Sequence, residues 1–65
     1  MIHKKEIRVF FSYPRINNTW GVNHKDFLVK KDFKVNKIST NNLAKIIKKL
    51  YNLEDISIDD IVDLG

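Results

Sequence analysis

Leu43, Ile46, Ile47 and Leu50 fall at i, i+3, i+4 and i+7, and no other stretch of this 65-residue chain constrains the fold as tightly. That spacing puts four aliphatic side chains on one helical face. Lys45, Lys48, Lys49 and Asn52 repeat the spacing on the other side. The pattern predicts a helix over Ser39–Tyr51, with Ser39 and Thr40 available to cap its first turn. The lysines lie toward its C-terminal end, where the helix dipole favours positive charge. A helix with one apolar face needs an apolar surface to sit on, and the rest of the chain must supply it.

Lys5–Tyr13 supplies the first part. Its odd positions Ile7, Val9, Phe11 and Tyr13 are apolar, and its even positions are Glu6, Arg8, Phe10 and Ser12. Period-two alternation in β-branched and aromatic residues reads as a strand half-buried in a sheet. Pro14 closes it, because proline cannot donate to a strand ladder. Arg15–Thr19 reads as a loop in which Asn17 and Asn18 tolerate turn conformations that most residues avoid. Val22–Asp26 fits either an irregular bridge or a second turn. Phe27–Ile38 reads as one long strand or as two short ones bent at Lys30–Asp32, and two segments, Phe27–Lys30 and Phe33–Ile38, are favoured. Ser57 is placed to cap a short helix carrying Ile58, Ile61 and Val62, with Asp59 and Asp60 in its first turn. The alternative for this segment is a brief edge strand at Ile56 and Ile58.

These elements predict an α+β fold. A small antiparallel sheet of two or three strands is packed by one amphipathic helix, with a short acidic C-terminal helix or turn. Residues 1–65 are read as a single small domain whose core is limited by chain length. Phe11, Phe27, Phe33 and Tyr51 are expected in that core. Arg8, Phe10, Lys30 and Lys34 are expected on the sheet's second face. Such a core leaves little net stability after chain entropy is subtracted, so a homodimer is among the partners considered.

Charge is segregated along the chain. All twelve basic residues lie between Lys4 and Lys49 with only Glu6, Asp26 and Asp32 among them, a net of nine positive charges. Glu54, Asp55, Asp59, Asp60 and Asp63 follow with no basic residue. A basic body suits phosphates, and an acidic end could cover it or meet a basic protein. The bland reading, two solvated surfaces that keep the chain soluble, carries equal weight.

Catalytic patterns are sparse. The chain has no cysteine and only two glycines, which excludes a disulfide framework, a thiolate metal site and a glycine-rich phosphate loop. His24 and Asp26 have a spacing compatible with shared metal ligation, but a structural metal needs more ligands than this. No metal, cofactor or enzymatic activity is therefore expected. No apolar run is long enough to cross a bilayer and no leader is visible, so a cytoplasmic location away from membranes is expected.

The remaining signal is basic residues interleaved with aromatics. Arg8, Phe10, Tyr13, Arg15, Trp20 and Lys25, joined by Lys30 and Lys34, could stack bases and follow a nucleic-acid backbone. Lys45, Lys48 and Lys49 would add phosphate contacts. The chain is thus expected to be a small basic accessory protein that binds DNA or RNA. The alternative is a protein-interaction module, an inhibitor or adaptor, that docks through Phe10, Trp20, a strand edge and the acidic end.

Overall fold

In the computed structural model, which describes residues 3–65, strand β1 (Lys4–Pro14) lies at the centre of a three-stranded antiparallel sheet. Strand β2 (Trp20–Lys30) pairs with it along its whole length, and strand β3 (Ser57–Asp63) occupies its other side. Helix α1 (Lys37–Tyr51) covers one face of this β2-β1-β3 sheet. The α+β architecture expected from the sequence is the one observed.

The core follows from β1's alternation. Ile7, Val9 and Phe11 are buried on the helix side and meet Leu43 and Ile47 of α1. Phe27, Val29, Phe33, Leu53, Ile56, Ile58 and Ile61 close around them, half-buried. Tyr51 leans on the core from its rim, its ring centroid 5.6 Å from that of Phe11. The helix buries a narrower stripe than its periodicity predicts: Ile46 is 46 % and Leu50 59 % exposed, while Lys48 is half-buried. The sheet beneath is only three strands wide, so a helix resting on it covers one edge of the aliphatic face and leaves the other in solvent.

Asn36, rather than Ser39 or Thr40, caps α1, and the helix begins two residues earlier than expected, at Lys37. The Asn36 side chain accepts the Ser39 N–H at 2.9 Å, and Ser39 Oγ accepts the Asn36 N–H at 2.8 Å. This reciprocal capping box satisfies two N–H groups at once. It also removes the strand expected over Phe33–Ile38. Phe33 N–H turns back onto the Lys30 carbonyl at 2.9 Å. Of the two residues that carried the strand pattern, Phe33 packs against the core while Val35 is exposed, as is Ile38 at the segment's end. At the far end Asn52 adopts the left-handed conformation, φ 54°, and Leu53 N–H reaches the Lys48 carbonyl. Asparagine tolerates that conformation better than most residues and so terminates the helix.

The β1–β2 connection behaves as Asn17-Asn18 implied. Both residues have positive φ, 66° and 59°, and Arg15 N–H donates to the Thr19 carbonyl across the turn. Val22–Asp26, ambiguous in sequence, is uninterrupted strand. Gly21 just before it is needed for space: a Cβ there would lie 2.5 Å from the Tyr13 ring, which packs over the glycine from the paired position.

The C-terminal segment is a strand, not the short helix expected. Ile58 and Ile61 are spaced like a helical pair, but between Phe10 and Phe11 the register of β3 on β1 slips by one residue. That bulge resets the side-chain parity, so Ile58 opposite Phe11 and Ile61 opposite Val9 both reach the core. A three-residue spacing in a bulged strand thus imitates a helix.

Ile47→Ala is expected to destabilise the fold by ~2–5 kcal/mol, because it empties a site with no solvent access. Ile46→Ala, at a half-exposed position one residue away, should cost well under half of that. Urea denaturation of the two variants checks the assignment, and equal losses would contradict it.

Candidate interaction surface

The sheet face opposite α1 carries no covering layer among the described residues. Strand parity places Glu6, Arg8, Phe10 and Ser12 of β1 on it. Their register partners on β2 are Leu28, Asp26, His24 and Val22, followed by Trp20 opposite Pro14. Val62 and Asp60 of β3 flank Arg8 and Phe10, and Leu64 is tied to Glu6 by a 2.9 Å backbone hydrogen bond.

This surface is more apolar than its sequence suggested. Trp20 is 63 %, Val22 78 % and Leu28 63 % exposed, and Phe10, Val62 and Leu64 are also open to solvent. The Phe10 and His24 rings lie 5.7 Å apart at a 49° tilt, which joins β1 to β2 in one aromatic ridge. Six of the twelve exposed large apolar residues among those described lie on this face, while Ile16, Val35, Ile38, Ile46, Leu50 and Tyr51 lie in the loop, the connection and the helix. A patch of this kind is a candidate contact surface.

The cation at the middle of the face is neutralised. Arg8 donates twice to Asp26, Nε to Oδ1 at 2.8 Å and Nη2 to Oδ2 at 3.0 Å, the bidentate geometry that fixes both side chains. The hydrogen bond from Arg8 holds the Asp26 carboxyl below the ordinary aspartate range, and the same bond raises the Arg8 value. On the helix side Lys5 does the same to Asp63 from 2.8 Å, assisted by the Gly65 N–H. At the β3 bulge Ser12 Oγ donates to Asp59.

The residues singled out in the sequence are therefore dispersed. Arg8, Phe10, Trp20 and Lys30 share the open face by strand parity, with Lys30 at one end beside Lys4. Lys25 pairs with Val9 and so belongs to the helix side, where it is exposed. Arg15 is in the hairpin loop, and Lys34 lies in the connection to α1, not on a strand. Lys45, Lys48 and Lys49 belong to α1, a layer away from the open face. Val22, His24, Leu28, Val62 and Leu64 belong to the face although the sequence reading did not select them. Continuous strand through Val22–Asp26 would have placed Trp20, Val22, His24 and Leu28 on one parity; the polar residues between them hid that signal.

His24 and Asp26 also share the open face, two residues apart, where His24 meets Phe10 and Asp26 holds Arg8. Among the described residues no group of three or more His, Cys, Asp or Glu comes together. Nor is any helix there long and apolar enough to cross a membrane. Comparison of the chain with protein-family models, curated proteins and solved structures finds no match.

The Arg8–Asp26 pair has a testable pH signature. Because the folded-state value of Asp26 is depressed, the stability it contributes is complete above the ordinary aspartate pKa and disappears as pH falls through the lowered one. Thermal melts should therefore show Asp26→Asn losing stability at neutral pH and converging on the wild type in acid. A constant difference at every pH would contradict the ion-pair account.

Proposed function

We propose that this chain is a small, non-enzymatic protein-docking module that presents its open sheet face to an apolar patch on another protein. One observation carries the reading: Trp20, Val22, Phe10, Leu28 and Val62 stand on the solvent side of the sheet, and Arg8 among them is already paired with Asp26. Aromatic and aliphatic anchors around a satisfied ion pair suit the desolvated centre of a protein interface. The acidic residues that follow α1, with Asp59 and Asp60 in β3 at one margin of the face, favour a partner whose apolar patch has a basic rim.

Nucleic acid fits this face less well. A base-stacking platform works when free cations beside the rings follow the phosphates. Here Lys45, Lys48 and Lys49 are on the helical layer, and the acidic Glu6, Asp26 and Asp60 share strand parity with Phe10 and Trp20.

Trp20 is the only tryptophan, so its emission reports directly on the face. Titration with single-stranded and duplex oligonucleotides at ~50 mM salt, where non-specific phosphate binding is strong, is expected to leave it unchanged. A partner protein purified with the chain should be released by Val22→Ser with Leu28→Ser, and retained by Lys45→Gln with Lys49→Gln. Saturable, salt-sensitive quenching by oligonucleotides, or release by the lysine variants instead, would overturn the proposal in favour of nucleic-acid binding.

A further inference from the structure

We propose that the free edge of β2 receives a second copy of this chain. The two β2 strands would pair antiparallel about a two-fold axis at Lys25 and extend each three-stranded sheet into a six-stranded one.

The two edges of the sheet are built differently. β3 is seven residues long, bulged, and carries Asp59, Asp60 and Asp63. Short length, a bulge and charges are the usual devices that stop an edge from pairing. β2 also carries three charges, Lys25, Asp26 and Lys30, but of both signs, and it differs in having eleven residues, regular register and no proline. Its outward backbone groups can be identified. Arg15 N–H bonds to the Thr19 carbonyl and Lys31 N–H to the His3 carbonyl, so odd positions of β2 face β1. His24 N–H, an even position, bonds instead to the neighbouring Asn23 side chain at 2.8 Å. The backbone groups of Val22, His24, Asp26 and Leu28 therefore form a row aimed away from the sheet.

Self-complementarity selects the partner and the register. With the axis at Lys25, Val22 lies opposite Leu28 of the second copy, His24 opposite its Asp26, and Trp20 opposite its Lys30. Each pair occurs twice by symmetry. All lie on the open face, joining apolar to apolar, imidazole to carboxylate, and ammonium to indole. All six residues have outward backbone groups, so these positions become the hydrogen-bonded pairs of the new ladder, with the His24 N–H exchanging its Asn23 side-chain acceptor for the second copy's Asp26 carbonyl. Moving the axis to His24 or Asp26 sets that residue against itself and Val22 against Asp26 or Lys30. Lys25 meeting Lys25 on the helix side is the one unfavourable pair, and its long stem lets the two ammonium groups diverge into solvent.

The dimer would leave both open faces on one side of a continuous sheet. It needs no foreign protein, so it stands or falls separately from the docking function.

The chain has no cysteine, which makes a single introduced thiol an unambiguous probe. At the axis the two residue-25 Cα atoms would be ~4.5 Å apart, within disulfide range. Lys25→Cys is therefore expected to become a disulfide-linked dimer under oxidised glutathione, while Asn23→Cys, which would face Phe27 of the second copy, stays reduced. In sedimentation equilibrium the unmodified chain should reach twice 7.7 kDa. Val22→Asp, at a position too exposed to affect folding, should weaken dimerisation ~10-fold or more by setting a carboxylate against leucine. Leu28→Asp provides the same test from the other side of the pair. A chain that remains at 7.7 kDa into the millimolar range overturns the proposal. So does cross-linking at Asn23 as fast as at Lys25, or a dimer indifferent to both aspartate variants.

Discussion

The row of Ile7, Val9 and Phe11 along one side of β1 is the contact on which the rest of the molecule depends. These side chains are the ones α1 settles on through Leu43 and Ile47, and they fix the register in which β2 and β3 reach the core. Each fully buried side chain of this kind contributes ~1.5–3 kcal/mol, and a chain this small has few of them. A one-residue slip of β1 would turn the whole row to the opposite face, so its alternation specifies the fold more strongly than any other feature. The same alternation generates the functional face. Putting the odd positions inward places Arg8 and Phe10 outward, beside Asp26, His24 and Val62.

With one α-helix among the described residues, the chain covers only one side of its sheet. The uncovered side is half apolar, and the charges at its middle are satisfied locally, so covering it would leave no unpaired charge there. Arg8 and Asp26 satisfy each other, and the Phe10 ring lies against His24. The charge segregation prominent in the sequence takes a different form in three dimensions. Asp59, Asp60 and Asp63 of the acidic C-terminal segment lie in a strand of the sheet, where Asp63 pairs with Lys5 and Asp59 with Ser12, while the helical lysines stand on the other layer.

Elements governed by a single strong period were legible from sequence, the helix from its aliphatic spacing and β1 from its alternation; Asn17-Asn18 marked a loop, but not that it joins a hairpin. Those that were not legible have definite physical reasons. β2 is an edge strand with few buried residues, so His24, Lys25 and Asp26 interrupt its pattern without harming its pairing. The β3 bulge converts strand parity into helix-like spacing at Ile58 and Ile61. Around Asn36, a capping box claims residues whose β-branched neighbours suggest strand. For the face itself, Phe10 and Trp20 stood out as aromatics without a core role. Val22 and Leu28 could not be assigned to it until β2 was known to be continuous, and no local signal marked the Arg8–Asp26 pairing, which joins residues 18 apart.

The sheet has a core on one side and an apolar face open to solvent on the other. Trp20 lies on that open face and is the only tryptophan, so acrylamide quenching of its emission in dilute, partner-free protein tests this arrangement most directly. The account predicts red-shifted emission and quenching nearly as efficient as in the urea-unfolded chain. Blue-shifted emission shielded from the quencher, regained as exposure only on unfolding, would place Trp20 in a core and contradict the account.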